Sequence, residues 1–155
     1  MKRLPVAHQP LGIIAGRDRV AGGTWMGVSA AAPGRFAAVT NVRDGEPAVD
    51  PSKRSRGRLP IDFLVGEQTS AQEAAALVAD APEYAPVNLI VDDGVQVWWA
   101  TNWPEPEAVA VSDGVHGVSN GALDSAWPKV QDTAAGLARL LERGAAAYPE
   151  EYFAL

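Results

Sequence analysis

Two apolar stretches flank the sequence Asp92-Asp93-Gly94, and this arrangement constrains the fold more than any other feature of the chain. Residues 88–91 and 95–100 are rich in β-branched and aromatic side chains, which favour half-buried strands. Asp-Gly suits the positive φ angles of a tight hairpin turn. The pattern therefore predicts two neighbouring antiparallel strands. The adjacent Trp98 and Trp99 would then face opposite sides of the sheet, one in the core and the other under a helix or in a groove.

Short apolar runs broken by Gly and Pro predict further strands at residues 13–15, 23–30, 35–42, 108–111 and 115–120. Pro33-Gly34 and Asp113-Gly114 lie between such runs and indicate two more hairpins. Residues 43–58 are polar and predict a long loop, which is either functional or mobile in most proteins.

Two main helices are expected. Ser70 as N-cap with Glu73 three residues later forms a capping box, which opens an Ala-rich helix up to Ala79. From Pro128 onward, apolar side chains recur at helical spacing until about Gly144. The chain has 155 residues, a length typical of one domain. The sequence thus predicts a single α+β domain over residues 1–155, built from antiparallel hairpins and two helices.

Composition excludes several classes of function. The chain has no Cys, so it can hold neither a disulfide framework nor a thiolate metal site. A net charge of −6 argues against nucleic acid as a partner. The apolar runs fall short of the ~20 residues that a membrane span needs. The basic Lys2-Arg3 pair is followed by no apolar segment of the secretory kind, so the cytoplasm is the expected location.

Two patterns suggest chemistry but have simpler explanations. Residues 117–121 match the G-x-S-x-G motif around Ser119, yet that motif needs a buried strand before it and a helix directly after it. Neither His follows Ser119, so the sequence favours a coincidence over a serine hydrolase. His8 and His116 could ligate a metal or haem, but a lone His is more often a hydrogen-bonded surface residue.

Aromatic and basic residues suggest a ligand site. The five Trp residues favour core packing, with a groove for a flat apolar ligand as the alternative. Residues 53–58 carry four basic side chains in an acidic protein. A solvated loop is the simpler explanation, and an anion site for phosphate, a fatty-acid head group or a haem propionate is the alternative.

Three blocks of sequence, in order, resemble one family. They are Ala-Gly-Arg-Asp at 15–18 with Ala-Gly-Gly-Thr-Trp-Met-Gly-Val at 21–28, Gly-Arg-Phe-Ala-Ala-Val-Thr-Asn-Val-Arg at 34–43, and Gly-Val-His-Gly-Val-Ser-Asn at 114–120 continuing through Leu-Asp-Ser-Ala-Trp-Pro-Lys-Val at 123–130. Together these blocks resemble the NRDE family, also called the transport and Golgi organisation protein 2 family, over roughly residues 12 to 130.

The resemblance implies an αββα sandwich similar to the N-terminal nucleophile hydrolases. Members of the family begin with Met-Cys and carry an Asn-Arg-Asp-Glu strand, and this chain has neither. We therefore expect an incomplete, truncated domain without those strands or the closing C-terminal ones. An N-terminal nucleophile enzyme takes its thiol and its α-amino base from one residue. Met1 cannot serve in this way, so a non-catalytic chain is expected, the alternative being a Cys amidohydrolase whose nucleophile is missing here.

The resemblance also implies site residues. By position, Asn41 and Asn120 resemble the strand-end Asn residues that bind the oxyanion in related amidases. We expect their side chains to converge on one concavity, with Arg43 nearby and Trp25 at its base or in the core beneath. Arg56, from the basic loop, completes the expected ligand site.

The family is associated with haem mobilisation, with lipid or acyl-CoA homeostasis and, in animals, with Golgi organisation. A small anionic or acylated ligand is therefore the expected partner, with haem as cargo and no resident cofactor. Missing strands would leave a sheet edge uncovered, so self-association through that edge is also expected.

Overall fold

The computed structural model describes residues 12–43, 50 and 52–143. These residues fall into two units, one ending at Ser112 and the other beginning at Asp113. The first unit contains the strands β1 Ile13–Ala15, β2 Met26–Ser29, β3 Arg35–Asn41, β4 Val87–Asp93, β5 Val97–Thr101 and β6 Glu107–Ala110. The helices are α1 Arg58–Val65 and α2 Ser70–Ala79 in the first unit and α3 Pro128–Glu142 in the second. The α+β class is confirmed.

The six strands form one antiparallel sheet in the order β1-β2-β3-β4-β5-β6. The predicted hairpins around Pro33-Gly34 and Asp92-Asp93-Gly94 are confirmed as β2–β3 and β4–β5. β3 and β4 pair over seven residues, from Arg35 opposite Asp93 to Asn41 opposite Val87. The connection between these two strands carries both α1 and α2.

The two faces of the sheet differ in what covers them. On the helix-side face, α1 packs on β1 to β4 and α2 on β4 to β6. The core lies there and includes Val39, Leu89 and Ala100, with Trp98 partly buried against it. Trp99 lies on the other face, called the outer face below, and is 3% exposed. The two Trp residues therefore face opposite sides, as their adjacency predicts.

The structure corrects the expectation of two main helices. The described residues contain three, because α1 begins at Arg58, where the sequence predicts the end of a loop. Pro60 stands in the first turn of α1, where a missing backbone N–H costs nothing. Apolar residues of α1, including Phe63 and Leu64, are buried against the sheet and stabilise a helix of only eight residues.

The capping box of α2 is also shifted by one residue from the prediction. Thr69 is the N-cap, and its hydroxyl accepts a hydrogen bond from Gln72 N while Gln72 Oε1 accepts one from Thr69 N. Glu73 consequently turns inward and is 7% exposed. Burial raises the pKa of Glu73, the Asp62 carboxylate adds to this shift, and the Arg35 guanidinium opposes it.

Two strand predictions are wrong in extent or position. The strand predicted over residues 23–30 is limited to β2, because Thr24 N donates to Gly57 O outside the sheet. The hairpin predicted over 108–120 is not formed: β6 pairs with β5, and residues 115–120 form no strand. That segment instead closes on Asp124, as described below.

A pair of charged side chains fastens the helices to the sheet. Arg35 Nη2 donates to the carbonyls of Phe63 and Gln68, at 2.8 and 2.9 Å, at the C-terminal end of α1. Its guanidinium also lies 4.0 Å from the centre of the Phe63 ring. Opposite Arg35 in the sheet, Asp93 accepts a hydrogen bond from Ser70 N at the start of α2. A cation therefore meets the negative end of α1, and an anion meets the positive end of α2.

At its other end, α1 is fixed by a close crossing of two backbones. Thr24 N donates to Gly57 O at 3.0 Å, and Gly57 is the N-cap of α1. A Cβ added at Gly23 would lie 2.7 Å from the Gly57 carbonyl carbon and oxygen. Only a residue without a side chain fits at this crossing, so Gly23 sets how closely the loop before α1 approaches β2.

Replacing Gly23 with Ala should lower the free energy of unfolding by about 1–3 kcal/mol, because the new Cβ has to push two backbones apart. Gly16→Ala is the matched control, since a Cβ there meets nothing within 4 Å. Urea unfolding of both variants measures the difference. Equal stabilities for the two variants would contradict the tight crossing.

Candidate functional site

Four of the five expected ligand residues lie at one end of the sheet. We call Trp25, Asn41, Arg43 and Arg56 the strand-end cluster. Val39 N donates to Trp25 O at 2.8 Å, which extends the β2–β3 pairing by one residue. Trp25 therefore stands directly before β2 and opposite Val39, two residues before Asn41 at the end of β3. Arg43 follows two residues after the end of β3.

The Pro86 carbonyl brings the basic loop to this end of the sheet. It accepts hydrogen bonds from Val42 N at 3.1 Å and from Arg56 Nη1 at 3.0 Å. Because Val42 directly follows Asn41, the shared carbonyl holds the Arg56 guanidinium beside the end of β3. The sequence alone does not predict that Arg56 lies near Asn41, because their proximity depends on how the loop folds back onto the sheet.

Exposure distinguishes the members of the cluster. Trp25 is 46% exposed, which excludes the core as its place, and the other expected place, at the base of a concavity, stays a prediction. Arg43 is exposed as well, whereas Asn41 and Arg56 are half-buried. The cluster therefore presents an aromatic ring and cationic groups to solvent around a partly buried amide.

The other basic residues of the loop have partners within the protein. Lys53 Nζ donates to the Pro82 carbonyl, Arg54 pairs with Asp80 at 3.0 Å, and Arg58 pairs with Asp62 at 2.7 Å. Arg54 also lies over the ring of Tyr84, 4.8 Å from its centre. These contacts attach the loop to residues 80–86 and to α1, so Arg56 is the member of the loop that is directed to the end of β3.

Sequence reasoning did not identify Asn102, which organises the same end of the sheet. Its Oδ1 accepts a hydrogen bond from Val87 N, and its Nδ2 donates to the carbonyls of Ala81 and Tyr84. Tyr84 is buried beneath, and burial raises the pKa of its hydroxyl against the opposing charge of Arg54. An Asn directly after an apolar strand was the available signal, but the same pattern also describes many ordinary turns.

In the second unit, Asp124 closes the loop that carries Asn120. Asp124 Oδ2 lies 2.7 Å from His116 Nδ1, and Asp124 Oδ1 accepts a hydrogen bond from Gly117 N at 2.8 Å. Asp124 N donates in turn to Gly117 O at 2.7 Å. Partial burial raises the pKa of Asp124, but the bonds from His116 and Gly117 outweigh it, so the pKa is lowered. The backbone of Asp124 has a φ of 53°, a conformation that Asp and Asn tolerate better than other side chains.

This loop decides two interpretations made from the sequence and leaves a third open. His116 is the hydrogen-bonded residue that the simpler interpretation favoured, while His8 lies outside the described residues. The motif around Ser119 has no strand before it, and α3 begins only at Pro128, so the geometry of a nucleophile elbow is absent. Asn120 is half-buried in the loop, and its convergence with Asn41 stays a prediction.

Two further features, a metal-ligand cluster and a membrane-crossing helix, are absent from the described ranges. Nowhere in them do three His, Cys, Asp or Glu side chains come together as metal ligands do. None of the helices described there combines the length and the hydrophobicity that crossing a bilayer requires.

Comparison with known proteins decides the family. The family model described as "Transport and Golgi organisation 2" matches residues 3–154. The chain belongs to this family. It is also 32% identical to the transport and Golgi organization 2 homolog of Mus musculus over 115 residues, which is 71% of this chain. The homologs of Bos taurus and Homo sapiens are each 32% identical over 114 residues, or 70% of this chain.

The match covers only part of these relatives. The aligned region amounts to 40% of the length of each of the three transport and Golgi organization proteins. The match to the family model, over residues 3–154, includes the sheet and the strand-end cluster of the present chain.

The Asp124 contacts predict a pH-dependent stability for this family member. Asp124→Asn keeps a side chain that tolerates positive φ but removes the charge, and should cost about 1 kcal/mol near neutral pH. Because the folded-state pKa of Asp124 is lowered, its stabilising effect is present above pH ~4 and is lost as the pH falls through the folded-state value. Thermal melts of both proteins from pH 7 to pH 2.5 should therefore converge at the acid end. A constant difference at every pH would contradict the charged contact.

Proposed function

We propose that the chain is a non-catalytic binding protein for a small anionic or acylated ligand, and that the strand-end cluster is its site. The observation that carries this proposal is the approach of Arg56 to the end of β3 through the Pro86 carbonyl, beside an exposed Trp. Haem and acyl-CoA are the proposed cargo, since haem has two carboxylates and acyl-CoA has phosphates and an acyl chain.

The chemistry of the cluster supports an anion with an apolar body. Guanidinium groups bind carboxylates and phosphates through paired, charge-assisted hydrogen bonds. Arg43 and Arg56 supply two such groups in a protein with a net charge of −6. The exposed ring of Trp25 offers a flat apolar surface. The amide of Asn41 can donate to a ligand carbonyl, the contact that an oxyanion site would also use.

The absence of Cys supports binding rather than catalysis. An N-terminal nucleophile amidohydrolase needs a side-chain nucleophile next to its α-amino base, and the 155 residues contain no thiol. The alternative, an amidohydrolase whose nucleophile is missing from this chain, would leave Asn41 and Asn120 as its oxyanion donors. Restoring a Met-Cys start and assaying amide hydrolysis distinguishes this alternative.

We also propose that the fold is one half of an αββα sandwich of the N-terminal nucleophile hydrolase kind. The two helices of the first unit, α1 and α2, cover the same face of the sheet, and Ile14, Met26 and Val28 are 55%, 59% and 41% exposed on the outer face. In such a sandwich, a second sheet packs on that face. The relatives, of which the match covers 40%, have the additional length that a second sheet would need.

The ligand proposal is tested by titrating the chain with oleoyl-CoA, coenzyme A, oleate and haemin, using calorimetry or haem absorbance. We expect saturable binding of oleoyl-CoA or haemin. Arg56→Ala should weaken it about tenfold, the loss expected for one charge-assisted contact of about 1.4 kcal/mol. Trp25→Ala should weaken it further than Trp25→Phe, which keeps an aromatic face.

Arg58→Ala is the matched control. It removes the same charge from the same segment, and the Arg58 guanidinium forms an ion pair with Asp62. It should change affinity less than about twofold, and melting curves should show all variants folded. Equal weakening by Arg56→Ala and Arg58→Ala would indicate a general charge effect and reject the site. Failure of all four ligands to bind would reject the proposed function itself.

A further inference from the structure

We infer that Asn102 is a positioning residue of the strand-end cluster, because it holds the segment whose backbone places Arg56 beside the end of β3. We call residues 81–87 the bridging segment. Asn102 comes directly after β5 and is not among the ligand residues expected from the sequence. The inference rests on the proposed function, since the position of Arg56 matters for a ligand only if the cluster binds one.

The side chain of Asn102 binds backbone groups along the whole bridging segment. Its Nδ2 donates to the carbonyls of Ala81 and Tyr84, both at 3.0 Å. Its Oδ1 accepts a hydrogen bond from Val87 N at 2.9 Å. Ala81, Tyr84 and Val87 are all buried. Since buried backbone groups without a partner are costly, the shape of the segment depends on this one amide.

Other carbonyls of the bridging segment accept hydrogen bonds from the basic loop. The donors are Lys53 Nζ to Pro82, Arg54 N to Glu83 and Arg56 Nη1 to Pro86, at 2.6, 2.8 and 3.0 Å. The Pro86 carbonyl also accepts from Val42 N, directly after β3. The bridging segment therefore connects Asn102 on one side of the sheet end with Arg56 and the end of β3 on the other.

The chemistry at position 102 requires an amide. The segment offers Asn102 two carbonyls and one N–H, and an Asn side chain has both donors and an acceptor. An ionised Asp in its place could accept from Val87 N but could donate to neither carbonyl. An Ala would leave all three backbone groups without this partner.

The start of β4 keeps other attachments when Asn102 is replaced. Thr101 Oγ1 donates to Val87 O at 2.9 Å, and Val87 stands opposite Asn41 in the β3–β4 pair. Replacing Asn102 should therefore loosen the bridging segment, and with it the Pro86 carbonyl, while the sheet stays folded.

Hydrogen exchange of the ligand-free chain tests the positioning step by itself. Val42 N–H is the reporter, because it donates to the same Pro86 carbonyl as Arg56. Asn102→Ala should raise its exchange rate about tenfold relative to Val39 N–H, which donates to Trp25 O outside the bridging segment. Asn102→Asp should act in the same way, and its similar size makes it the second variant if Asn102→Ala fails to fold.

A double-mutant cycle tests whether this positioning matters for binding. With oleoyl-CoA and haemin as probes, Asn102→Ala should weaken affinity about threefold to tenfold, and no more than Arg56→Ala does. In a chain that already carries Arg56→Ala, replacing Asn102 should change affinity less than about twofold, because the group that it positions is gone. A residue that contributed only to overall stability would not show this dependence on Arg56.

Asp93→Asn is the matched control for a general loss of stability. Asp93 also holds a backbone N–H, that of Ser70, but it lies at the far end of β4. That end is about 20 Å from Val87 at the rise per residue of a β-strand. Asp93→Asn should lower the melting temperature while it leaves the affinity for both probes and the relative exchange rate of Val42 N–H unchanged.

Unchanged relative exchange of Val42 N–H in the Asn102 variants would overturn the inference. Affinity that Asn102→Ala leaves unchanged, or weakens equally with and without Arg56, would also overturn it. If neither probe binds the natural chain, the proposed function fails, and the exchange rates alone then decide whether Asn102 positions the carbonyl that holds Arg56.

Discussion

The helix layer of the first unit depends on two side chains that face each other across β3 and β4. Arg35 donates to the Phe63 carbonyl in the last turn of α1 and to the Gln68 carbonyl, and Asp93 accepts a hydrogen bond from the first N–H of α2. Helix ends carry unpaired backbone groups and a partial charge, and each side chain has the charge that its helix end requires. The bond from Ser70 N lowers the pKa of Asp93, which favours the ionised carboxylate at this helix end.

The attachment of α1 at its C-terminal end also determines where its N-terminal end and the preceding basic loop lie. With its C-terminal end held by Arg35, α1 runs back along the sheet to the Gly23–Gly57 crossing, where the basic loop begins its approach to β2. The loop is held in turn by contacts to residues 80–86, and Arg56 reaches the Pro86 carbonyl. The strand-end cluster is thus a consequence of how one helix is fixed at both ends, rather than of any local motif.

The parts of the fold that follow from local rules could be predicted from the sequence. The β4–β5 hairpin follows from its Asp-Gly turn, and α3 from the spacing of Val130, Leu137 and Leu140. α1 could not be predicted, because its eight residues depend on burying Phe63 and Leu64 against strands distant in sequence. The predicted strand at 115–120 failed for a similar reason, since the Asp124 side chain competes with strand pairing for Gly117 N. Of the candidate site, Asn41 was located by its position at a strand end, but the approach of Arg56 required the tertiary fold.

The central claim is that Arg35 and Asp93 act together on the connection between α1 and α2. A double-mutant cycle with Arg35→Met and Asp93→Asn, each measured by urea unfolding, tests it directly. If both side chains stabilise the same connection, replacing either one should reduce the stabilising effect of the other. The double variant should then lose less stability than the sum of the losses in the two single variants. The account predicts a coupling of about 1 kcal/mol or more. Additivity within about 0.3–0.5 kcal/mol would show that the two side chains act independently and would contradict the account.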